Sequence, residues 1–500
     1  MRRAYDVETV RAAERELMAE LPDGALMQRA AAALAAGCVQ LLPRVYGARV
    51  ALLVGSGDNG GDALFAGARL ACRGAQVDAL LLSPDRTHAE GLAALRAAGG
   101  RTVDAADPAV AALLDRAALV LDGIVGIGGR GGLRPEAAAL AAQATASAAL
   151  VVAVDVPSGV DAGSGEVTGD AVRADVTVTF GALKPGLLID PGASYAGAVE
   201  LVDIGLAPHL RDTAPVVAAL QSTEVAALLP RPAGETDKYR RGVLGVVAGS
   251  ETYTGAAVLT VGGALRGGAG MVRFASTGRP VELVRQRWPE AVTTVIKEGD
   301  ADGVLGVGRV QAWVVGPGLS QQQDGYAVLA AVLGTDLPVL VDADGLNLLA
   351  EDSAPLRRRS GAPTLLTPHA GELSRLLGVE RSDIEARRLE HVREAAARFQ
   401  ATVLLKGLTT VVAAPGGGPV RINPTGTSWL GTAGSGDVLS GLAGALLAGG
   451  LSPLDAGSVA AYLHGLAGRL AADGDTPIMA GDLLDAWPAA VRAIRPGAVG

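Results

Sequence analysis

Asp437 closes the segment Gly431-Thr432-Ala433-Gly434-Ser435-Gly436-Asp437, directly ahead of an uncharged stretch of helical character. Glycines in such a place free several backbone N–H groups to receive an anion at the positive end of a helix. An acid there has two readings. It caps the helix, which contributes about 1 kcal/mol, or it takes the proton of a hydroxyl that attacks a phosphoryl group held by the loop. A lone Gly-Asp favours the cap. Upstream, however, Lys406-Gly407-Leu408-Thr409-Thr410 sets a lysine before another glycine turn, as nucleotide phosphates require. The two segments together favour phosphoryl chemistry.

The first half carries loops of a different kind. Gly55-Ser56-Gly57-Asp58-Asn59-Gly60-Gly61-Asp62-Ala63 follows the apolar run 50–54 and leads into a helical segment from Leu64. A strand, a glycine turn and a helix start make an anion site, or simply a capped helix. Asp58, Asn59 and Asp62 add oxygen donors that suit a ribose, a hydroxyl or a hard cation. Two further segments have matching character: 122–132, which begins at Asp122 and continues as a glycine-rich run, and Asp155-Val156-Pro157-Ser158-Gly159. Asn59, Asp122 and Ser158 are oxygen ligands from three strand ends, able to converge on an alkali cation. Gly126 to Gly132 reads as a phosphate-covering loop or a linker. Lys184, in Phe180-Gly181-Ala182-Leu183-Lys184-Pro185-Gly186, is either a point charge for phosphate or an ordinary surface lysine.

These loops need strands to hold them. Short Val/Leu runs alternate with Ala/Leu/Arg stretches of helical spacing, the pattern of parallel sheets covered by helices. Strands are expected at 50–54, 119–121, 151–154, 176–180, 243–248, 312–315, 339–341, 364–366 and 402–405. Ligands in such sheets sit outside the carboxyl ends of strands. In the second half those ends carry Gly249-Ser250 with Tyr253, Gly255 and Ala256, then Gly316-Pro317-Gly318, Asp342-Ala343-Asp344, and Thr367-Pro368-His369. His369, directly after a strand, reads as a ligand contact rather than a core histidine. Between 206 and 235 four prolines break the rhythm, which places a seam near 215 and domains at 1–215 and 216–500.

Composition bounds the rest. Five hundred residues, 49% of them apolar, are ample for two sizeable cores. A net charge of −9 without a basic block, and fifteen aromatics, exclude a nucleic-acid groove. Cys38 and Cys72 alone support neither a disulfide framework nor a zinc site, which fits a reducing cytoplasm. No run reads as an export signal or a membrane span. Glycine, at 69 residues, is about twice its usual share, whereas lysine occurs only at 184, 238, 297 and 406.

The first half resembles the NAD(P)H-hydrate epimerase family, whose loop G-x-G-N-N-G-G-D-G, segment D-x-x-x-G-x-G, D-x-P-S-G and F-x-x-x-K-P-G recur in order across about 5–205. Asp58 and Ala63 stand where that family usually has Asn and Gly. The second half is similar to ribokinase-like kinases, and among them to ADP-dependent NAD(P)H-hydrate dehydratases. It carries K-Y-x-x-G, G-S-x-x-Y-x-G-A-A, G-P-G, D-A-D-x-L-N, T-P-H-x-G-E, K-G-x-x-T and G-[ST]-G-D across about 235–490.

The resemblance implies an α/β protein with an N-terminal Rossmann-like three-layer domain and a C-terminal ribokinase-like α/β domain, which together repair hydrated NADH and NADPH. It implies that Asp58, Asn59, Gly60, Gly61, Asp62, Gly126, Ile127, Gly128, Gly129, Arg130, Gly131, Gly132 and Asp155 hold the hydrated nucleotide in the first domain, and that Asn59, Asp122 and Ser158 coordinate potassium. In the second, Ala256, Gly318, His369 and Asp437 contact the hydrated nicotinamide nucleotide, with Asp437 the base. Lys406, Gly407, Leu408, Thr409, Thr410 and Gly436 hold the adenylate part of the donor ADP, with magnesium bridging donor oxygens and Lys238 near phosphates. The epimerase acid or base is left between Asp155 and Asp62. The partners implied are small molecules, with no nucleic acid or membrane, and a homo-oligomer is expected. The rival readings are a kinase for a sugar or vitamin alcohol, and a first half that only senses nucleotides.

Overall fold

The computed structural model describes residues 1–231, 237–359 and 361–495. The chain divides into two compact units, Arg3–Val217 and Ala218–Gly500, the latter including Met1–Arg2. Each has its own sheet and core.

In the first unit, helix α1 (Val7–Ala19) precedes β1 (Arg49–Val54), helix α2 (Asp58–Ala71), β2 (Gln76–Leu81), β3 (Arg101–Asp104), β4 (Leu119–Gly123), β5 (Leu150–Val154), β6 (Val176–Phe180) and β7 (Ala198–Val202). The spatial order is β3-β2-β1-β4-β5-β6-β7, and the pairings are parallel. The central strands are Val/Leu runs buried along their length, as a parallel sheet covered on both faces requires. Strand order reverses between β1 and β4, and such a switch point opens a crevice at the strands' carboxyl ends. Residues 55–62 and 122–132 leave the sheet there. The reading by apolar runs passed over β2 and β3, because Asp78 and Arg101 interrupt them. In the structure these two pair across the strands, Arg101 Nε to Asp78 Oδ1, at 2.7 Å.

The second unit contains β8 (Val243–Val247), helix α3 (Thr254–Arg266), β9 (Met271–Ser276), β10 (Val292–Val295), β11 (Ala312–Val315), β12 (Val339–Val341), β13 (Thr364–Leu366), helix α4 (Ala370–Leu377), helix α5 (Arg388–Phe399), β14 (Thr402–Leu405), β15 (Thr410–Ala413), β16 (Val420–Asn423), and helices α6 (Ser435–Ala448), α7 (Pro453–Ala471) and α8 (Ala480–Ala493). Its sheet includes, in order, β16-β15-β14-β13-β12-β11-β8-β9-β10. The switch point lies between β8 and β11, where the Gly249 amide donates to the Pro317 carbonyl at 2.7 Å. One expectation needs correction. The sheet is not parallel throughout, since β14, β15 and β16 form antiparallel pairs. Parallel neighbours need a crossover of about a dozen residues, and 406–409 is a hairpin turn.

Helices α3 and α6 meet backbone to backbone. A methyl group on Gly441 would stand 2.1 Å from the Thr260 carbonyl oxygen, and one on Gly263 would stand 2.4 Å from that of Val438. Gly441→Ala is therefore expected to destabilise this unit by about 1–3 kcal/mol through overpacking, read as a lower urea midpoint for the second unit. An unchanged midpoint would contradict the contact. Among the described residues no helix is long and apolar enough to cross a membrane.

Candidate functional site

In the second unit the acid, the lysine and the glycine loop come together. Gly434 takes a left-handed conformation (φ 87°) at the N-cap of α6, and Asp437 sits in that helix's first turn. A methyl group placed on Gly436 would stand 3.4 Å from Lys406 Nζ. Lys406 in turn donates to Asp342 Oδ1 at 2.8 Å and lies 3.7 Å from Glu372 Oε2. Asp342 Oδ2 accepts from Ser440 of α6 at 2.7 Å. Burial works against the Lys406 ammonium, but Asp342, Glu372 and Asp437 outweigh it and hold its pKa above the usual lysine value. Asp437 is pushed up to about 7, first by burial and then by Asp342, with Lys406 opposing. A carboxyl balanced between its forms near neutral pH is suited to accept and release a proton.

Two supports for this cluster have no local signature in the sequence. Buried Arg388 of α5 donates to the carbonyls of Lys406 at 3.0 Å and Thr409 at 3.2 Å, fixing the hairpin turn. Gly407 makes room for it, since a side chain there would stand 2.4 Å from the guanidinium. His464 of α7 is buried and its pKa falls to about 4, chiefly by burial. It is thus neutral, and its Nε2–H donates to the Ser435 carbonyl at 2.9 Å, holding the start of α6. Scarcity of histidine was the one available hint.

Other expected contacts fall differently. Ala256 and Gly318 adjoin at the switch point, where a methyl on Gly318 would stand 3.0 Å from that of Ala256. His369 caps α4: its Nδ1 accepts from the Gly371 and Glu372 amides at 3.0 and 3.2 Å, while Glu372 Oε2 accepts from the His369 amide at 2.7 Å. Burial and then Lys406 depress its pKa to about 4, so the ring is neutral. It caps the helix while its ring remains half exposed. Thr409 and Thr410 are buried, and Leu408 is the open side chain of that turn. Lys238 precedes β8, at the amino ends of the strands, on the edge opposite Asp437.

In the first unit, Asp122 is fully buried at the end of β4 and accepts from Ser158 Oγ at 2.6 Å and the Ser158 amide at 2.8 Å. Burial raises its pKa to about 6 against those bonds, and no cation pairs with it among the described residues. The side-chain amide of Asn59 donates to the Val154 carbonyl at 2.5 Å, and its Oδ1 would stand 2.2 Å from a methyl on Gly126. The three oxygen residues thus hang from adjoining strand ends. Gly60 and Gly61 serve packing: side chains there would strike the Gly55 carbonyl and Met27. Gly57 faces open space. Asp58 is exposed at the helix start, where the macrodipole favours a carboxylate. Ala63 fits because Gly123 opposite lacks a side chain.

Lys184 is 1% exposed, so it is no phosphate anchor. Its ammonium donates to Asp155 Oδ1 at 2.5 Å, Thr179 Oγ1 at 3.0 Å and the Phe180 carbonyl at 3.1 Å. Asp155 holds a left-handed backbone (φ 68°), unusual for a non-glycine residue and kept where the surrounding structure over-determines it. Asp62 is buried with Oδ1 unpartnered, and its pKa lies well above the usual carboxylate range through burial, then Asp155, Asp58 and Glu14. Glu14 of α1, absent from the sequence-based set, is raised by burial while Lys184 draws it back. Ile127, Gly128, Gly129 and Arg130 line a cavity of about 270 Å³ together with Arg11 and Asp161.

Comparison with known proteins agrees with this division. Residues 244–488 match the family model described as NAD(P)H-hydrate dehydratase, and residues 23–186 match that of the YjeF-related protein N-terminus. The bifunctional NAD(P)H-hydrate repair enzyme Nnr of Mycobacterium tuberculosis is 51% identical over 455 residues, 90% of each chain. Its Mycobacterium leprae counterpart is 50% identical over 460 residues, 91% of each. The Bacillus subtilis ADP/ATP-dependent NAD(P)H-hydrate dehydratase, crystallised with ATP/Mg2+, superposes on 56% of this chain and 99% of its own, with a TM-score of 0.51 and 30% identity.

Proposed function

The chain belongs to the family of bifunctional NAD(P)H-hydrate repair enzymes, and from that premise we propose how its residues divide the work. In the second unit Asp437 removes the proton of the hydroxyl on C6 of the hydrated ring. The alkoxide oxygen attacks the terminal phosphorus of ADP, and the bond to AMP breaks. Phosphate then leaves C6 as the ring loses a proton, restoring NADH or NADPH, because phosphate is a better leaving group than hydroxide. The carrying observation is Asp437 in the first turn of α6, beside the Gly436–Lys406 contact, with its carboxyl poised near 7. Ala256 and Gly318, where two backbones leave little bulk, suit a flat ring. Magnesium, arriving with the donor, would offset phosphate charge. To test the reading, ADP and ATP are supplied separately with S-hydrated NADPH. Recovery of the reduced nicotinamide absorbance with one phosphate and one AMP per ADP supports it. A phosphorylated nicotinamide product that persists instead overturns it in favour of a kinase.

The first unit interconverts the R and S hydrates, so that the stereospecific dehydratase consumes both. Asp155, held by Lys184, and Asp62, whose carboxyl burial pushes well above the usual range, supply its acid and base groups, and the loop 126–132 covers the nucleotide. Potassium fits Asn59, Asp122 and Ser158, because Asp122 is a buried carboxylate without a cationic partner. The sign of its pH dependence follows. Asp122 has its pKa raised to about 6 in the folded unit, above the unfolded value of 3.8. Its contribution to stability is therefore present below 3.8 and lost as pH rises through about 6. A cation that binds the ionised form restores stability above that range. Potassium is expected to raise the melting temperature of this unit more at pH 8 than at pH 5. Equal shifts at both pH values would remove Asp122 from the ion's site.

A further inference from the structure

Helix α7 underlies both segments assigned to the phosphoryl donor. Its Ala461 and Tyr462 carbonyls accept from the side chains of Asn423 and Thr425, each at 2.8 Å, which binds the end of β16 to the helix. Two of its glycines let the chain that follows lie close. A methyl group on Gly465 would stand 2.3 Å from Thr425 Oγ1, and one on Gly468 would stand 2.8 Å from Leu430 Cδ2. This chain supports the turn 406–409, since a methyl group on Gly426 would stand 2.2 Å from the Leu408 carbonyl oxygen. It then runs directly into the glycine loop 431–437.

From the same helix His464 reaches the loop itself. Its ring is buried, and its Nε2–H is spent on one acceptor, the Ser435 carbonyl at 2.9 Å. Ser435 is the first residue of α6. Its carbonyl shares a planar trans peptide with the Gly436 N–H, which therefore points the opposite way. The first amides of a helix have no partner within it, and the Gly436 amide forms no hydrogen bond among the described residues. It is free to receive an anion. A bond accepted at the carbonyl polarises the peptide and strengthens what its N–H donates. Gly436 also stands beside Lys406, where a methyl group on it would lie 3.4 Å from Nζ.

We propose that His464 is a positioning residue for phosphoryl transfer: through the Ser435–Gly436 peptide it aims and strengthens the N–H that receives the donor's phosphate oxygens. This role rests on the glycine loop being the donor's seat. Buried beneath the start of α6, the ring acts through the backbone rather than by touching donor or hydrate. The same helix holds the turn of Lys406 by way of Gly426, so α7 sets the two donor segments in one frame.

The test compares H464M and H464Q with the wild type in the full chain, by steady-state dehydration of S-hydrated NADPH over a range of ADP. Glutamine carries an N–H to about the position of Nε2, whereas methionine fills similar space without a donor. In H464M the KM for ADP should rise about five- to tenfold, the size expected for one hydrogen bond, while the KM for the hydrate holds. H464Q should recover most of the loss, which a filler of space could not do. KM does not depend on how much of the protein is folded, so a variant that folds only in part still reports. An unchanged KM for ADP in H464M, or an equal rise in both variants, would overturn the proposal. Failure of the wild type to use ADP at all would instead remove the loop from the donor's site, and this role with it.

Discussion

Asp437→Asn is expected to lower kcat for ADP-dependent dehydration by about 10²–10⁴-fold, the contribution of a positioned general base. The substitution keeps the side-chain shape at the start of α6, so the melting temperature should move little, and epimerisation by the other unit should not move at all. The pH profile adds a second reading. A base with a pKa of about 7 in the free enzyme works only when ionised, so kcat/KM for the hydrate should rise with pH through about 7 and flatten above it. In the Asn variant that rising limb should vanish along with the activity. A variant that kept full turnover would reduce Asp437 to a helix cap.

Asp155→Asn is expected to bring epimerisation down to the spontaneous rate while leaving dehydration of the S hydrate intact. Asn tolerates a left-handed backbone, so the turn should survive. The cost lies in Lys184, whose buried ammonium loses the carboxylate it bonds at 2.5 Å. Breaking one side of a buried pair costs about 3–5 kcal/mol, so the first unit should melt earlier. The double variant D155N/K184M separates the two effects. Removing the charge should restore much of the stability, yet epimerisation should stay at the spontaneous rate. Recovery of epimerisation in the double variant would show that Asp155 serves the fold alone.

How far the site was legible depended on what each residue touches. Lys406 could be found because it follows a strand directly, and Gly436 with Asp437 because their glycine loop opens a helix. Asp122 and Ser158 were paired because strand ends in an open α/β sheet share one edge, and they bond at 2.6 Å. Lys184 was visible as a rare lysine, but its partner comes from 29 residues away, and nothing local told a buried ion pair from a phosphate anchor. Arg388, His464 and Glu14 were not marked, because each lies on a helix where polar residues are ordinary and acts on a loop distant in sequence. Gly60 and Gly61 also have a packing reason that was not legible, since their missing side chains make room for the Gly55 carbonyl and Met27. The turn 406–409 was read for its lysine, and because the strand that follows it, Thr410–Ala413, was not marked, its hairpin was not seen.

The central claim is that one chain repairs both epimers through two separate sites. Its most direct test is to give the intact protein an equal mixture of R- and S-hydrated NADPH with ADP and magnesium, and to follow each epimer chromatographically beside D155N. The intact protein should convert both to NADPH, whereas D155N should consume the S form and leave the R form to decay at its spontaneous rate. Persistence of the R form with the intact protein, at the rate seen without protein, would contradict the account.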